Sequence, residues 1–188
     1  MKTLQKIWAD LANAGYETDK GGVHSYIDVY QDLFSIQRVM AKTFLEIGLF
    51  HGHSMRMWEQ YFIYAEVHGI DCSDQPIGGM ADLRPMIAEG THKIHIMDAT
   101  NKEQVDKEFG DMKFDIVIDD GNHNLDSQLK TIEIFKPRMN EGGCIVIEDI
   151  QDLDNYKDMF LASHDDVDII DLRKVKNRYD DALIVLKF

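Results

Sequence analysis

Apolar residues along this chain follow two rhythms. Leu4, Ile7, Trp8, Leu11 and Ala12 recur at helical spacing and predict an amphipathic opening helix that Gly15 ends. Residues 18–22 are polar and glycine-containing and read as a loop. Val29, Leu33, Ile36 and Val39 return to helical spacing and predict a second helix. From there short apolar runs alternate with helical stripes. Runs at 43–47, 66–70, 93–97, 114–118, 143–147, 167–172 and 182–186 predict strands. Stripes at 53–62, 83–88, 101–109, 125–135 and 153–161 predict the helices between them. Residues 76–80 read as a loop, and Pro137 with Gly142 and Gly143 breaks the chain before the fifth strand. The alternation predicts an α/β fold with a mostly parallel sheet and helices on both faces. The last two strands lie close enough in sequence for an antiparallel, hairpin-like edge.

The strands end in chemistry. The run Phe114, Ile116, Val117, Ile118 finishes in Asp119, Asp120, Gly121 and His123, and the next run finishes in Glu148 and Asp149. In an open α/β sheet, ligands bind at the carboxyl ends of the strands. Neighbouring strand ends carrying several carboxylates repel one another unless a proton or a cation bridges them. Oxygen donors of this kind suit Mg²⁺, Mn²⁺ or Ca²⁺ rather than zinc. Asp120, Glu148 and Asp149 are therefore the candidate cation ligands. His123 beside them is the candidate general base, because a neutral imidazole titrates near working pH. The ordinary role of one such acid is a helix cap or a turn; two clusters at adjacent strand ends favour a site. His51, His53, His92 and His95 are read as structural or solvated.

The first strand runs into Gly48-Leu49-Phe50-His51-Gly52 and then a helix, the first unit of a nucleotide-binding sheet. Asp71 closes the second strand roughly 20 residues after this turn, placed to hydrogen-bond a ribose.

Composition narrows the partners. The 188 residues suit one domain, and a formal net charge of −14 repels phosphate backbones and anionic membranes. Nucleic acid and membrane are thus not expected as partners. Cys72 and Cys144 lack metal-type spacing and suggest reduced thiols. The N-terminal residues lack a continuous apolar core, so no signal peptide is expected and a cytoplasmic (intracellular) location is.

In order, the motifs are E-I-G-x-x-x-G, G-I-D, I-D-D-G-x-H and G-G-x-x-V-I-E-D, with T-D-K-G-x-x-H-S-Y upstream and R-x-D-D-A-L-I-V-L at the end. Together they resemble the class I S-adenosylmethionine-dependent methyltransferases. Within these the chain is similar to the metal-dependent sugar O-methyltransferases of macrolide biosynthesis and their small viral and bacterial relatives. The resemblance implies a single domain over 1–188, with a helical lid segment over 1–40 and a Rossmann-like core over 41–188. The implied core is a doubly wound seven-stranded sheet, mostly parallel with the last strand antiparallel. It implies S-adenosylmethionine and Mg²⁺ (or Mn²⁺) as cofactors and a sugar or glycan hydroxyl as acceptor; oligomeric state stays open. It places Glu46 and Gly48 at the methionine end of the methyl donor, Asp71 at its ribose, Asp98 at its adenine and Asp119 at its amino group. Lys20, His24 and Tyr26 would close over the donor and part of the acceptor site. Asp120, Glu148 and Asp149 would bind the cation, and His123, with Asp120, would carry catalysis. Two features depart from the family pattern: Asn122 stands where serine is usual, and the run I-Q-D-L-D-N-Y over 150–156 replaces the customary one after the second acid pair. Together with the chain's length, they motivate the expectation of a small acceptor pocket or one open to a glycan end.

Three other activities fit parts of the pattern. A metal-dependent catechol or small-diol O-methyltransferase shares the cation logic but wants flat apolar walls. A nicotinamide-dependent oxidoreductase wants G-x-G-x-x-G, which the turn lacks. A non-catalytic donor-binding module of a glycan-assembly complex would make the base and the acids dispensable.

Overall fold

A computed structural model describes residues 1–75 and 82–188; the loop read at 76–80 lies outside the described residues. Helix α1 (Leu4–Asn13) starts where the Thr3 side chain accepts from the Lys6 amide, and it buries the Leu4, Ile7, Leu11 stripe. Residues expected as a loop instead form a single helical turn, α2 (Asp19–Gly22), capped by Thr18. The two glycines there argued for a loop; a capping threonine two residues ahead of Lys20 outweighs them.

The helix expected through Val29, Leu33, Ile36 and Val39 is broken in two. It becomes α3 (Tyr26–Leu33) and the short α4 (Gln37–Met40). Ile36 and Val39 are exposed, and the buried line is Tyr26, Tyr30, Phe34. The aromatic residues at spacing four, rather than the aliphatic ones, face the sheet, because they fill the space beside Trp58. Tyr30 and Phe34 stand edge-on to the Trp58 ring at 5.4 and 6.3 Å between centroids. Fully burying one such ring stabilises the fold by about 1.5–3 kcal/mol, so this face wins over scattered aliphatics.

The remaining elements are β1 (Thr43–Ile47), α5 (His53–Tyr61), β2 (Glu66–Asp71), α6 (Arg84–Glu89), β3 (Lys93–Ile96), α7 (Lys102–Phe109), β4 (Phe114–Asp119), α8 (Leu125–Phe135), β5 (Met139–Ile147), α9 (Leu153–Ser163), β6 (Val167–Asp171) and β7 (Ala182–Lys187). The seven strands form one sheet in the order β3-β2-β1-β4-β5-β7-β6. Strand β7 is antiparallel to both neighbours, and the other pairings are parallel. Strand β5 begins earlier than its apolar run: Met139 pairs with Phe114, the register then shifts, and Cys144 pairs with Ile116. Gly142 at φ 78° absorbs the irregularity.

Alternation along the central strands sends side chains to two cores. Ile116, Ile118, Val146 and Val185 join Trp58 and the aromatic line of α3 on one face. Val117, Ile145, Ile147 and Ile184 join Phe109, Phe135 and Phe160 on the other. Burial on both faces is why these strands read as unbroken apolar runs. Strand order reverses between β1 and β4, so a crevice opens at the carboxyl ends of those two strands. Among the described residues no helix is long and apolar enough to cross a membrane.

Candidate active site at the strand tips

The turn after β1 is held open by backbone geometry. Gly48 sits at φ 84°, and a Cβ there would lie 2.0 Å from the Asp120 carbonyl oxygen. Only glycine lets the β1 and β4 tips approach this closely. Asp71 at the tip of β2 accepts the Leu49 and Phe50 amides at 2.8 and 3.3 Å, so one of its oxygens braces the turn. Asp98 accepts the Thr100 amide and hydroxyl at 2.8 and 2.7 Å. These tips enclose a cleft of about 730 Å³, whose lining includes Gly48, Asp71, Asp98, Asp119, Asp120 and His123.

Asp119 is the unusual member of this wall. Its Oδ1 accepts the Gly121 amide at 3.1 Å, while its Oδ2 is buried with no hydrogen-bond partner among the described residues, the Thr131 hydroxyl lying near enough to favour the charge. Burial pushes the carboxyl up to about 6. Glu46, expected at the same cleft, lies behind it. Its side chain is fully buried, accepting from the Ser54 hydroxyl at 2.7 Å and the Trp58 indole at 3.0 Å.

Lys20, His24 and Tyr26 also stand away from the cleft surface. They reach the acids instead, Lys20 from α2, Tyr26 from α3 and His24 from the turn between. The Lys20 ammonium is completely buried, 2.5 Å from Asp120 Oδ2, 2.9 Å from each Glu148 oxygen and 3.4 Å from Glu46 Oε1. Tyr26 donates to Asp149 Oδ1 at 2.7 Å, and His24 Nδ1 lies 3.3 Å from that oxygen. Their neighbours Thr18, Asp19, Gly22 and Val23 form the cleft wall on this side.

The three expected cation ligands therefore divide. Asp120 Oδ1 lies 3.2 Å from His123 Nε2, and Asp149 Oδ2 lies 3.5 Å from it. One donor atom from each of Asp120, His123 and Asp149 falls within 4.8 Å of the others, a spacing that suits one ion. Glu148 turns away from this group toward Lys20 and the Tyr30 hydroxyl, which donates to it at 2.5 Å. His123 and Asp149 both adopt φ 55°, a left-handed conformation that non-glycine residues hold only under constraint.

The electrostatics follow from burial and proximity. Burial alone would lower the Lys20 pKa, but Asp120, Glu148 and Glu46 reverse it and hold the lysine charged. Burial raises Glu148 and Asp149, with repulsion from Asp120 adding to each. Asp120 resists its own burial because Lys20 and His123 attract its charge, and it stays below the usual carboxylate range. Burial opposes charging His123, yet the bond to Asp120 and the field of Asp149 raise it above an ordinary histidine. A half-buried base thus sits against two acids at the mouth of the cleft, an arrangement able to take a proton from a bound hydroxyl.

Sequence reasoning missed four contributors. Tyr30 was hidden in a helix stripe, although its spacing from Tyr26 was visible. Gln128 donates to the Glu148 carbonyl at 3.0 Å from within α8. His51 and His53, read as structural or solvated, line the cleft. By contrast, His92 pairs with Glu59 and Glu89, and His95 with Glu108.

Comparison with known proteins adds to this geometry. Residues 45–150 match a family described as a methyltransferase domain. The chain is 31% identical over 156 residues to the 8-demethyl-8-alpha-L-rhamnosyl tetracenomycin-C 2'-O-methyltransferase of Streptomyces olivaceus, covering 79% of this chain and 39% of that protein. It is 33% identical over 143 residues to the L-olivosyl-oleandolide 3-O-methyltransferase of Streptomyces antibioticus, covering 71% and 35%. The chain thus spans about two-fifths or less of these relatives. Its fold resembles the MycE methyltransferase of mycinamycin biosynthesis, solved with Mg, SAH and mycinamycin VI, at TM-score 0.60, 24% identity, and coverage of 79% of this chain and 39% of that one. It also resembles the O-methyltransferase of Bacillus cereus, solved with SAH, at TM-score 0.61, 16% identity, and coverage of 99% and 90%.

Proposed function

This chain belongs to the methyltransferase domain family, and on that premise we propose that it is an S-adenosylmethionine-dependent O-methyltransferase acting on a sugar hydroxyl with the help of a divalent cation. The observation that carries the reading is a juxtaposition. A cleft at the strand-order switch point, with an unpartnered buried carboxylate oxygen in its wall, adjoins the Asp120, His123, Asp149 group. The sugar part rests on the curated relatives named above, which are sugar O-methyltransferases by name. The polar residues Asn122, Ser127 and Asp19 in the cleft lining support it over a flat catechol pocket.

The cleft suits the donor on two counts. Asp119 Oδ2 offers a free acceptor for an amino group, and Gly48 brings backbone close to a ligand. Asp71 and Asp98 both line the cleft, where a carboxylate can accept from ribose hydroxyls or from the adenine amino group. The donor supplies an electrophilic methyl on a positive sulfur. Asp120 and Asp149 would hold a divalent cation, which would supply positive charge that lowers the pKa of an acceptor hydroxyl beside it. His123 takes the acceptor proton, and Asp120 holds the imidazole aimed at it. The segment around α2 lines this end of the cleft through Thr18, Asp19, Gly22 and Val23. Much of the rate comes from holding acceptor and donor in line.

The reading is tested by titration calorimetry with S-adenosylmethionine, followed by turnover of a sugar panel with and without EDTA. Saturable donor binding and EDTA-sensitive methylation are expected. No donor binding sinks the methyltransferase assignment for this chain, and EDTA-indifferent turnover sinks the cation.

A further inference from the structure

The connection between β6 and β7 reaches back along the chain to the segment around α2. Lys176 lies in it, and its ammonium donates to the carbonyls of Gly21, Gly22 and His24 at 2.7, 3.1 and 2.6 Å. A helix leaves its last carbonyls without partners inside the helix, and α2 ends at Gly22. A lysine placed there satisfies them. Three carbonyls occupy all three donors of the ammonium. The connection is itself braced for this reach. Arg178 grips both oxygens of Asp180 at 3.1 and 2.9 Å, Tyr179 donates to Gln151 at 3.0 Å, and Asp181 accepts the Ser25 amide at 3.0 Å. Asn177, next to Lys176, stands at φ 55°, a conformation that asparagine adopts more readily than most residues.

The segment that Lys176 grips is a wall of the cleft. Thr18, Asp19, Gly22 and Val23 line it, and the Glu17 carbonyl lies 2.8 Å from His53 Nδ1 at the start of α5. On its other flank the segment packs on α1. A Cβ on Gly21 would stand 2.5 Å from the Trp8 indole, whose nitrogen donates to the Thr18 carbonyl at 3.5 Å. Lys176 is exposed, so water competes for its bonds, and this grip is the one that solvent can replace. We propose that Lys176 is a positioning residue for methyl transfer: from the β6–β7 connection it latches the α2 segment, and the latch keeps the methyl donor in the cleft. The inference rests on the methyltransferase reading above. Lys176 does not line the cleft and touches no reacting atom, so it is not a catalytic residue. With the latch made, four lining residues keep their places; with it released, the wall loses its outer support and the donor leaves faster.

Calorimetry with S-adenosylmethionine and hydrogen exchange of the donor-bound protein test this, wild type against Lys176→Met. The donor Kd is expected to rise at least about tenfold, because bonds from a charged donor are lost. Faster amide exchange is expected over residues 19–26 and not across the sheet, and the donor KM should rise more than kcat falls. Lys176→Arg, which keeps the charge and several donors, is expected to bind the donor more tightly than Lys176→Met. An unchanged donor Kd in Lys176→Met, faster exchange spread over the whole chain, or equal weakening by Met and Arg each overturns the inference and leaves the proposed function standing. No donor binding by the wild-type chain sinks the proposed function and this inference with it. Should Lys176→Met fail to fold, Lys176→Gln, which keeps amide donors and drops the charge, is read by the same measurements.

Discussion

The Tyr26 hydroxyl donates to Asp149 Oδ1 at 2.7 Å and also lies 3.3 Å from the Asp149 amide, tying the start of α3 to the tip of β5 across 123 positions of chain. Asp149 needs the tie, because its backbone stands at φ 55° and its carboxylate is buried near Asp120. Tyr26→Phe removes the donor and leaves the acceptor buried. We expect a loss of about 1–3 kcal/mol in urea unfolding. We also expect weaker Mn²⁺ binding, since Asp149 is then free to leave its left-handed conformation. A variant as stable as wild type, with unchanged metal affinity, would remove Tyr26 from the site.

Asp119 gives a pH signature of definite sign. Its carboxyl is raised from 3.8 to about 6 in the fold, so the native state holds its proton more tightly than the unfolded chain. Stability from this group is present at acid pH and is lost as pH climbs from about 4 through 6. Above that range the buried charge costs up to about 3 kcal/mol. Asp119→Asn is therefore expected to stabilise the chain at pH 7.5 and to match wild type near pH 4, as read by denaturant titrations at both values. The same change should weaken S-adenosylmethionine binding, because a lone acceptor becomes a donor. Equal stability differences at both pH values would mean that Asp119 is not a buried charge.

His123 should separate binding from turnover. Its raised pKa means that a deprotonated base appears only above the ordinary histidine range. In the metal-free chain, the imidazole itself should titrate through that raised value, as read by NMR of its ring protons. The matching stability contribution runs the other way: it is full below about pH 6.5 and is lost as pH rises through the folded value. His123→Ala is expected to keep donor affinity in calorimetry while turnover falls by about 10²–10⁴-fold, the range for losing a general base. Undiminished turnover would move the proton elsewhere.

Gly48→Ala tests the contact between the β1 and β4 tips. The added carbon would stand 2.0 Å from backbone that cannot swing aside, at a φ of 84° that alanine disfavours. Strain of this backbone type costs on the order of 1–3 kcal/mol before the collision is relieved. Lowered melting temperature together with weakened donor binding is expected, because the cleft wall is displaced as well as strained. Unchanged donor affinity would show that the turn only packs.

Much of this fold was legible because central strands buried on both faces leave continuous apolar runs. The run Phe114 to Ile118 and its acid ending needed no partner to be recognised. What escaped depends on pairing between distant positions. Strand alternation alone sets Glu148 away from Asp149 beside it, but nothing near Glu148 says that its carboxylate will turn to a lysine 128 residues earlier. Adjacent strand residues face opposite ways, and the choice of face is made by what waits there. The α3 stripe failed for a related reason: Val29, Leu33 and Ile36 match helical spacing as well as Tyr26, Tyr30 and Phe34. Only the aromatic pocket around Trp58 breaks the tie. The capping role of Thr18 was similarly masked by the glycines that follow it.

Metal removal should uncouple activity from folding. If the acids were held together by the ion alone, EDTA would expose repulsion among Asp120, Glu148 and Asp149, and the strand tips would loosen. The structure supplies another counter-charge, since Lys20 already bonds two of them and His123 bonds Asp120. Asp149 keeps Tyr26. EDTA-treated protein is therefore expected to retain its far-ultraviolet circular dichroism and a cooperative melt, while sugar methylation falls by about a hundredfold or more for want of a Lewis acid. Mg²⁺ added back should restore turnover with only a small rise in melting temperature, as mass action predicts for a weakly held ion. Collapse of the melt in EDTA would show instead that the divalent ion, and not the lysine, keeps these carboxylates together.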